Sequence, residues 1–216
     1  MFHDILGIER ALPWLLLALA AGYLAGSIPF GVLVARVFGL GDLRRIGSGN
    51  IGATNVLRTG NRVAAALTLA LDAAKGAVPV ALFLGWGDLA AQAAGLGAFL
   101  GHCLPVWLGF RGGKGVATFL GIMLGLHWLT FAALCATWLG AAAISRISSV
   151  GALATAASAP LWLMLFGRWE AVLFASLLAA LIWLRHHANL RRLIRGEEPR
   201  IGQNKPGHGK TDAGER

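Results

Sequence analysis

The sequence predicts an all-α integral membrane protein of about seven transmembrane helices, some short or partial, with the amino terminus outside and the carboxyl terminus cytoplasmic. Three observations lead there. Of the 216 residues, 56% are hydrophobic and only 13% charged, too few charges to cover the surface of a soluble domain. The apolar residues fall into runs of helical length, interrupted by glycine and proline. The formal net charge of +9 is concentrated in alternate loops between those runs.

The first run, 11–38, contains the small-residue triplet ALA at 18–20, but it lacks a basic leading region and stays apolar well past that point. It reads as a retained span rather than a cleaved signal peptide. The second, 63–84, carries Asp72 and Lys75 three residues apart on one helix face. Charges inside a membrane mark either a functional site or a self-neutralising structural pair, and both readings stand. The third, 89–104, ends beside Pro105 and holds His102, for which a structural, helix-ending role comes first and substrate contact second. The fourth, 116–126, follows the glycine-rich GGKG. The fifth, sixth and seventh occupy 128–144, 150–166 and 171–184. Several are shorter than the ~20 residues needed to cross squarely. Five full crossings with two partial helices is therefore the alternative count. Interruptions of this kind occur where helix ends line a protein-enclosed cavity. Cys103 and Cys135 lie within apolar runs and read as structural thiols, so neither a disulfide nor a metal site is expected. The eight tryptophans suit interfacial anchoring.

Orientation follows from the basic side chains. One set of loops carries Arg36 to Arg62, Arg111 with Lys114, Arg146, and everything from Arg185 onward. Of the 19 lysines and arginines, only Arg10 and Arg168 fall on the opposite side, and Lys75 lies within a helix. Attraction to anionic headgroups accounts for much of the basic carboxyl-terminal part. It does not account for the glycine-rich loops.

Three segments share one grammar: GSGNIGATNVLR, GFRGGKGVATFLG and SRISSVGALAT. Each combines glycine or serine with a basic residue and then opens into a helix. Glycine lets backbone approach a ligand, and the first turn of a helix presents unpaired N–H groups, so such segments suit phosphate. Close helix packing explains the alanines and some glycines, but it does not call for Arg58 or Lys114. The G-x-G-x-x-G at 47–52 lacks the strand of a dinucleotide-binding turn, and Asp72, twenty residues on, falls inside an apolar helix. A P-loop fails as well, because Leu108 stands where its first glycine should be and Gly115 replaces its Ser or Thr.

GSGNIGATNVLR followed by LDAAKG, GHCLPVWLGFRGGKGVAT and RHHANLRRLIRGEEPRIG resembles the bacterial acyl-phosphate:glycerol-3-phosphate acyltransferase family. The similarity runs from GSIPFG at 26–31 to about residue 201. The resemblance implies a multi-pass enzyme of the bacterial inner (cytoplasmic) membrane with its active site at the cytoplasmic face. It implies transfer of a fatty acyl group from acyl phosphate to the 1-hydroxyl of glycerol 3-phosphate. Lysophosphatidic acid and phosphate would be the products, in the first acylation of phospholipid synthesis. No cofactor, metal, nucleic acid or obligate protein partner is implied; the partners are the two substrates and membrane lipids.

By the same resemblance, Ser48, Asn50, Thr54, Asn55 and Arg58 belong to the first motif, with Ser48 and Arg58 the leading phosphate contacts. Gly49 and Gly52 supply its backbone. Gly112, Gly113, Lys114 and Gly115 match the segment linked with glycerol 3-phosphate binding. His186 and Asn189 match the polar pair of the third motif, and Glu198 a glutamate tied to integrity. Ser48, Arg58, His186 and Asn189 are the expected catalytic group. Ser148 and Ser149, from the third glycine and serine segment, complete the substrate-binding set. His186 either orients or deprotonates the hydroxyl, or a substrate phosphate takes the proton, and both remain open.

None of the six histidines has an acidic residue five positions on, as an H-x-x-x-x-D thioester-using acyltransferase would require. A single polytopic domain is expected over 1–202, with a flexible hydrophilic tail over 203–216. The alternative function is a membrane transporter for a phosphorylated metabolite. Broken helices suit it, but the motifs collect at one face and no inverted repeat is visible.

Overall fold

Ten α-helices and three 3-10 turns make up residues 2–202, the part of the chain described by the computed structural model. The helices are α1 (Phe2–Ser27), α2 (Phe30–Val37), α3 (Ala53–Leu57), α4 (Arg62–Leu84), α5 (Asp88–Cys103), α6 (Val116–Leu126), α7 (Trp128–Ser145), α8 (Ser148–Leu165), α9 (Val172–Arg185) and α10 (His187–Ile194). The tail expected over 203–216 lies outside the described residues.

All seven apolar runs are helical. Five segments are long and apolar enough to cross a membrane: Arg10–Val37, Arg62–Leu84, Asp88–Leu108, Trp128–Ser145 and Ser148–Leu165. The α9 segment, from Trp169, and α10 meet at a 61° bend and give a sixth if taken as one span. With 11 residues, α6 reaches only about 16 Å at ~1.5 Å per residue, short of a ~30 Å hydrocarbon core. The expected set of about seven thus resolves into five full-length candidates with two partial helices, or six with one.

The first run is not continuous helix. Pro29 has no N–H to donate and disfavours helical geometry at Ile28, so α1 ends at Ser27 and α2 begins at Phe30. The break frees the Ile28 carbonyl, and Lys75 Nζ donates to it at 2.9 Å.

Glycines set the closest helix contacts. On α1, Gly22 and Gly26 lie against the backbone of Ala94 and Ala98 on α5. In return, Gly97 and Gly101 of α5 lie against Leu19 and Tyr23 of α1. A methyl group at any of the four would overlap a carbonyl oxygen. Gly76 of α4 and Gly121 of α6 make the same kind of approach, to Thr118 and Ala73. In lipid, where apolar burial does not drive helices together, close backbone packing of this sort does. Phe99, Phe119, Ile122, Leu163, Leu178 and Ile182 fill the core between α5, α6, α8 and α9. Leu82, Leu165 and Leu173 stay exposed on the outer faces, as lipid contact requires.

Candidate active site

A cavity of about 510 Å³ gathers residues from segments far apart in sequence. Ser48, Asn50, Gly52, Thr54, Asn55 and Arg58 reach it from the first loop and α3. Lys114 and Gly115 come from the second loop, and Ser148 and Ser149 from the start of α8. His186, Asn189 and Glu198 come from the carboxyl-terminal segment. Leu69 of α4, Leu120 of α6, and Trp138 and Leu139 of α7 line an apolar portion. The cavity therefore joins a polar, basic region to a hydrocarbon-like one.

Local geometry explains the first loop. Gly47 adopts φ +54°, and a side chain there would overlap Asn55 Oδ1 and the Arg58 side chain. Asn55, only 2% exposed, accepts from the Ser48 N–H at 3.1 Å and donates to the Leu43 carbonyl at 2.8 Å. It holds the loop rather than offering free polar atoms. Gly49 closes a turn through its N–H to Ile46 O at 2.9 Å and does not line the cavity.

Side chains then stitch the loops together. Thr54 and Ser148 hydroxyls lie 3.2 Å apart, and Arg44 donates to the Arg111 carbonyl at 3.4 Å. Lys114 Nζ donates to Asn189 Oδ1 at 2.5 Å. Glu198 accepts from Ser149 Oγ at 2.8 Å, Asn189 Nδ2 at 2.5 Å and Arg192 Nε at 2.6 Å. Burial alone would raise the Glu198 carboxyl, but these donors and the Arg192 charge hold it below its ordinary value. Burial lowers Lys114 to about 8; Glu198 opposes that shift, while Arg192, Arg58 and Arg185 add to it.

His186 sits at the junction of α9 and α10, 3% exposed. Its Nδ1 lies 2.8 Å from the Ile182 carbonyl. A carbonyl only accepts, so Nδ1 carries the proton and the neutral ring keeps Nε2 as an acceptor. The first turns of α6 and α8 also open on the cavity, and their leading N–H groups have no intrahelical partner.

Two expected anion-binding glycines have a different use. The N–H of Gly112 donates to Cys103 O at 3.1 Å and that of Gly113 to His102 O at 3.0 Å. The carbonyls of Gly112 and Gly113 themselves accept from Arg185, and neither glycine lines the cavity. Their backbone is committed within the protein, so Lys114 and Gly115 are what this loop presents.

Asp72, Lys75 and His102 form a buried group. Lys75 Nζ is 2.8 Å from Asp72 Oδ1, and His102 Nδ1 is 3.7 Å from the same oxygen. Asp72 and His102 line the inner cavity, whereas Lys75 does not and serves the Ile28 carbonyl instead. Among the described residues, no group of three His, Cys, Asp or Glu is arranged to hold a metal ion. Sequence reasoning left out Arg62, which lines the cavity, and Arg185 and Arg192, which brace it. Arg185 and Arg192 lie in a stretch whose basic residues also suit headgroup contact.

The chain is similar to several known proteins. The profile of a family described as glycerol-3-phosphate acyltransferase matches residues 16–196. A glycerol-3-phosphate acyltransferase of Cereibacter sphaeroides is 58% identical over 197 residues, covering 91% of this chain and 94% of the relative. One from Sinorhizobium fredii is 53% identical over 200 residues, covering 93% and 98%. The crystal structure of PlsY (YgiH), an integral membrane glycerol 3-phosphate acyltransferase, in its glycerol 3-phosphate form is also similar. It is 36% identical with a TM-score of 0.83, over 87% of this chain and 96% of that one. Its lysophosphatidic acid form gives 34% and 0.80, over 87% and 95%.

Proposed function

The chain belongs to the glycerol-3-phosphate acyltransferase family, and we propose that it transfers a fatty acyl group from acyl phosphate to the 1-hydroxyl of glycerol 3-phosphate. The observation that carries this reading is the cavity, which joins Arg58 and Lys114 to an apolar wall formed by Leu69, Leu120 and Leu139. A phosphorylated polyol fits the first part and an acyl chain the second.

Arg58, Lys114 and the serines 48, 148 and 149 hold phosphate through charge-assisted and hydroxyl hydrogen bonds. His186 presents Nε2 to the attacking hydroxyl and orients it. The hydroxyl oxygen attacks the acyl carbonyl carbon, and the developing oxyanion is stabilised by donors around the cavity. The carbon–oxygen bond to phosphate then breaks, phosphate leaves, and the hydroxyl proton passes to it. Phosphate is already a good leaving group, so no protein nucleophile is needed. Lysophosphatidic acid and inorganic phosphate result. The domain spans 1–202, with the loops bearing Arg58 and Lys114 at the cytoplasmic face of the bacterial inner membrane.

The test is purified protein in detergent with labelled glycerol 3-phosphate and a choice of acyl donors. Long-chain acyl phosphate should be consumed, with phosphate and lysophosphatidic acid formed in equal amounts, and acyl-coenzyme A should give little product. Efficient turnover of acyl-coenzyme A would assign a different donor. Inactivity with every donor, together with glycerol 3-phosphate flux across sealed vesicles, would make the protein a transporter.

A further inference from the structure

Arg185 precedes His186 at the end of α9, and its guanidinium reaches across to the second loop. Nε lies 3.2 Å from Gly113 O, and Nη2 lies 3.0 Å from Gly113 O and 3.3 Å from Gly112 O. From the other side, His102 and Cys103 carbonyls take the N–H groups of Gly113 and Gly112. The His102 ring fills the space that a methyl on Gly113 would occupy. Lys114 comes next in the chain, with Nζ on Asn189, three residues beyond His186. One planar fork therefore ties the loop presenting Lys114 to the turn presenting His186 and Asn189.

From this geometry we infer that Arg185 is a positioning residue, which fixes the separation between the Lys114 ammonium and the His186 imidazole so that glycerol 3-phosphate is held with its hydroxyl at His186. It acts through the two carbonyls and touches no reacting atom. The inference rests on the acyl-phosphate reading above. Lysine in its place keeps the charge but lacks the fork that spans two carbonyls. Glutamine removes the charge as well.

The experiment measures both KM values, kcat and thermal stability for wild type, Arg185→Gln and Arg185→Lys, using long-chain acyl phosphate and glycerol 3-phosphate. Both variants should raise the KM for glycerol 3-phosphate at least about tenfold, the scale of one lost charge-assisted hydrogen bond, with the acyl phosphate KM held. A rise confined to the glycerol 3-phosphate KM is the readout a structural role would not give, and the alkaline limb of kcat/KM for glycerol 3-phosphate reports separately on the Arg185 charge at Lys114. Lys114 faces Glu198, Arg192, Arg58 and Arg185. Removing one of those positive charges in Arg185→Gln should shift the limb upward, whereas Arg185→Lys should leave it in place.

Wild-type KM values in folded variants would overturn the inference. So would parallel rises in both KM values with lost thermal stability, or failure of both variants to fold, since each makes Arg185 purely structural. Wild-type protein inactive with both substrates would instead defeat the underlying reading.

Discussion

Lys114 Nζ and Asn189 Oδ1 lie 2.5 Å apart, joining residues separated by 75 positions in the chain. The bond leaves the ammonium two further protons for a substrate phosphate. Lys114→Ala should therefore raise the KM for glycerol 3-phosphate while the protein stays inserted and folded. Loss of one charge-assisted contact costs about 1.5–3 kcal/mol, or roughly ten- to a hundredfold. Unchanged kinetics in a folded variant would remove Lys114 from the site.

The same lysine sets a pH dependence. Its value of about 8 means that the ammonium is present below that pH and lost above it. The affinity for glycerol 3-phosphate should weaken as pH rises through about 8 in the free enzyme, seen as a falling kcat/KM. Lys114→Arg should move this fall to higher pH, because guanidinium stays charged. A profile flat up to pH near 10, where an unshifted lysine titrates, would contradict the burial argument.

Glu198 is a test of stability rather than chemistry. Its carboxylate takes hydrogen bonds from Ser149, Asn189 and Arg192, and its side chain is only 6% exposed. Glu198→Ala leaves those donors unmatched and should destabilise by roughly 1.5–3 kcal/mol, measured as thermal unfolding in detergent. The folded value is depressed, so its contribution is full above about pH 4.3, the ordinary unfolded value. It is lost as pH falls through the folded value. Wild-type stability in Glu198→Ala would show that other groups hold the segment.

Gly113→Ala should act through His102. The added methyl overlaps the imidazole, and relieving such overpacking typically costs about 1–3 kcal/mol. Adding His102→Ala clears the space, so the combined loss of stability should be smaller than the sum of the single losses. Strict additivity would place the strain elsewhere.

The orientation can be read in intact cells. Arg45 and Glu170 are both exposed, and the proposed topology puts them on opposite sides of the membrane. In a background without Cys103 and Cys135, Arg45→Cys should resist an impermeant thiol reagent and Glu170→Cys should react. The reverse pattern would invert the protein.

Much of this architecture can be read from patterns along the chain. Apolar runs are a local property, so each of the seven appears as helix, and the basic loops announced Arg58 and Lys114. The break at Ile28 and Pro29 was hidden because the residues on both sides are equally apolar. Asp72 and Lys75 were visible as a pair through their spacing, yet His102 joins them from α5, and no periodicity reports a contact between helices. Gly112 and Gly113 looked like an anion cradle because glycine content does not say where an N–H points. Arg185 opens the third motif but was given no role, because a sequence does not report which distant carbonyls a side chain reaches.

The reciprocal glycine contacts between α1 and α5 bear on how the protein is built. Residues 62–84 leave the ribosome before residues 88–103, so Gly22 and Gly26 enter the bilayer with their intended neighbour still unsynthesised. Until then α1 offers lipid a shallow notch of exposed backbone. Docking cannot precede the synthesis of α5, and it pairs two parallel helices that α4 separates in the chain. A nascent chain stopped within α4 would leave that notch uncovered.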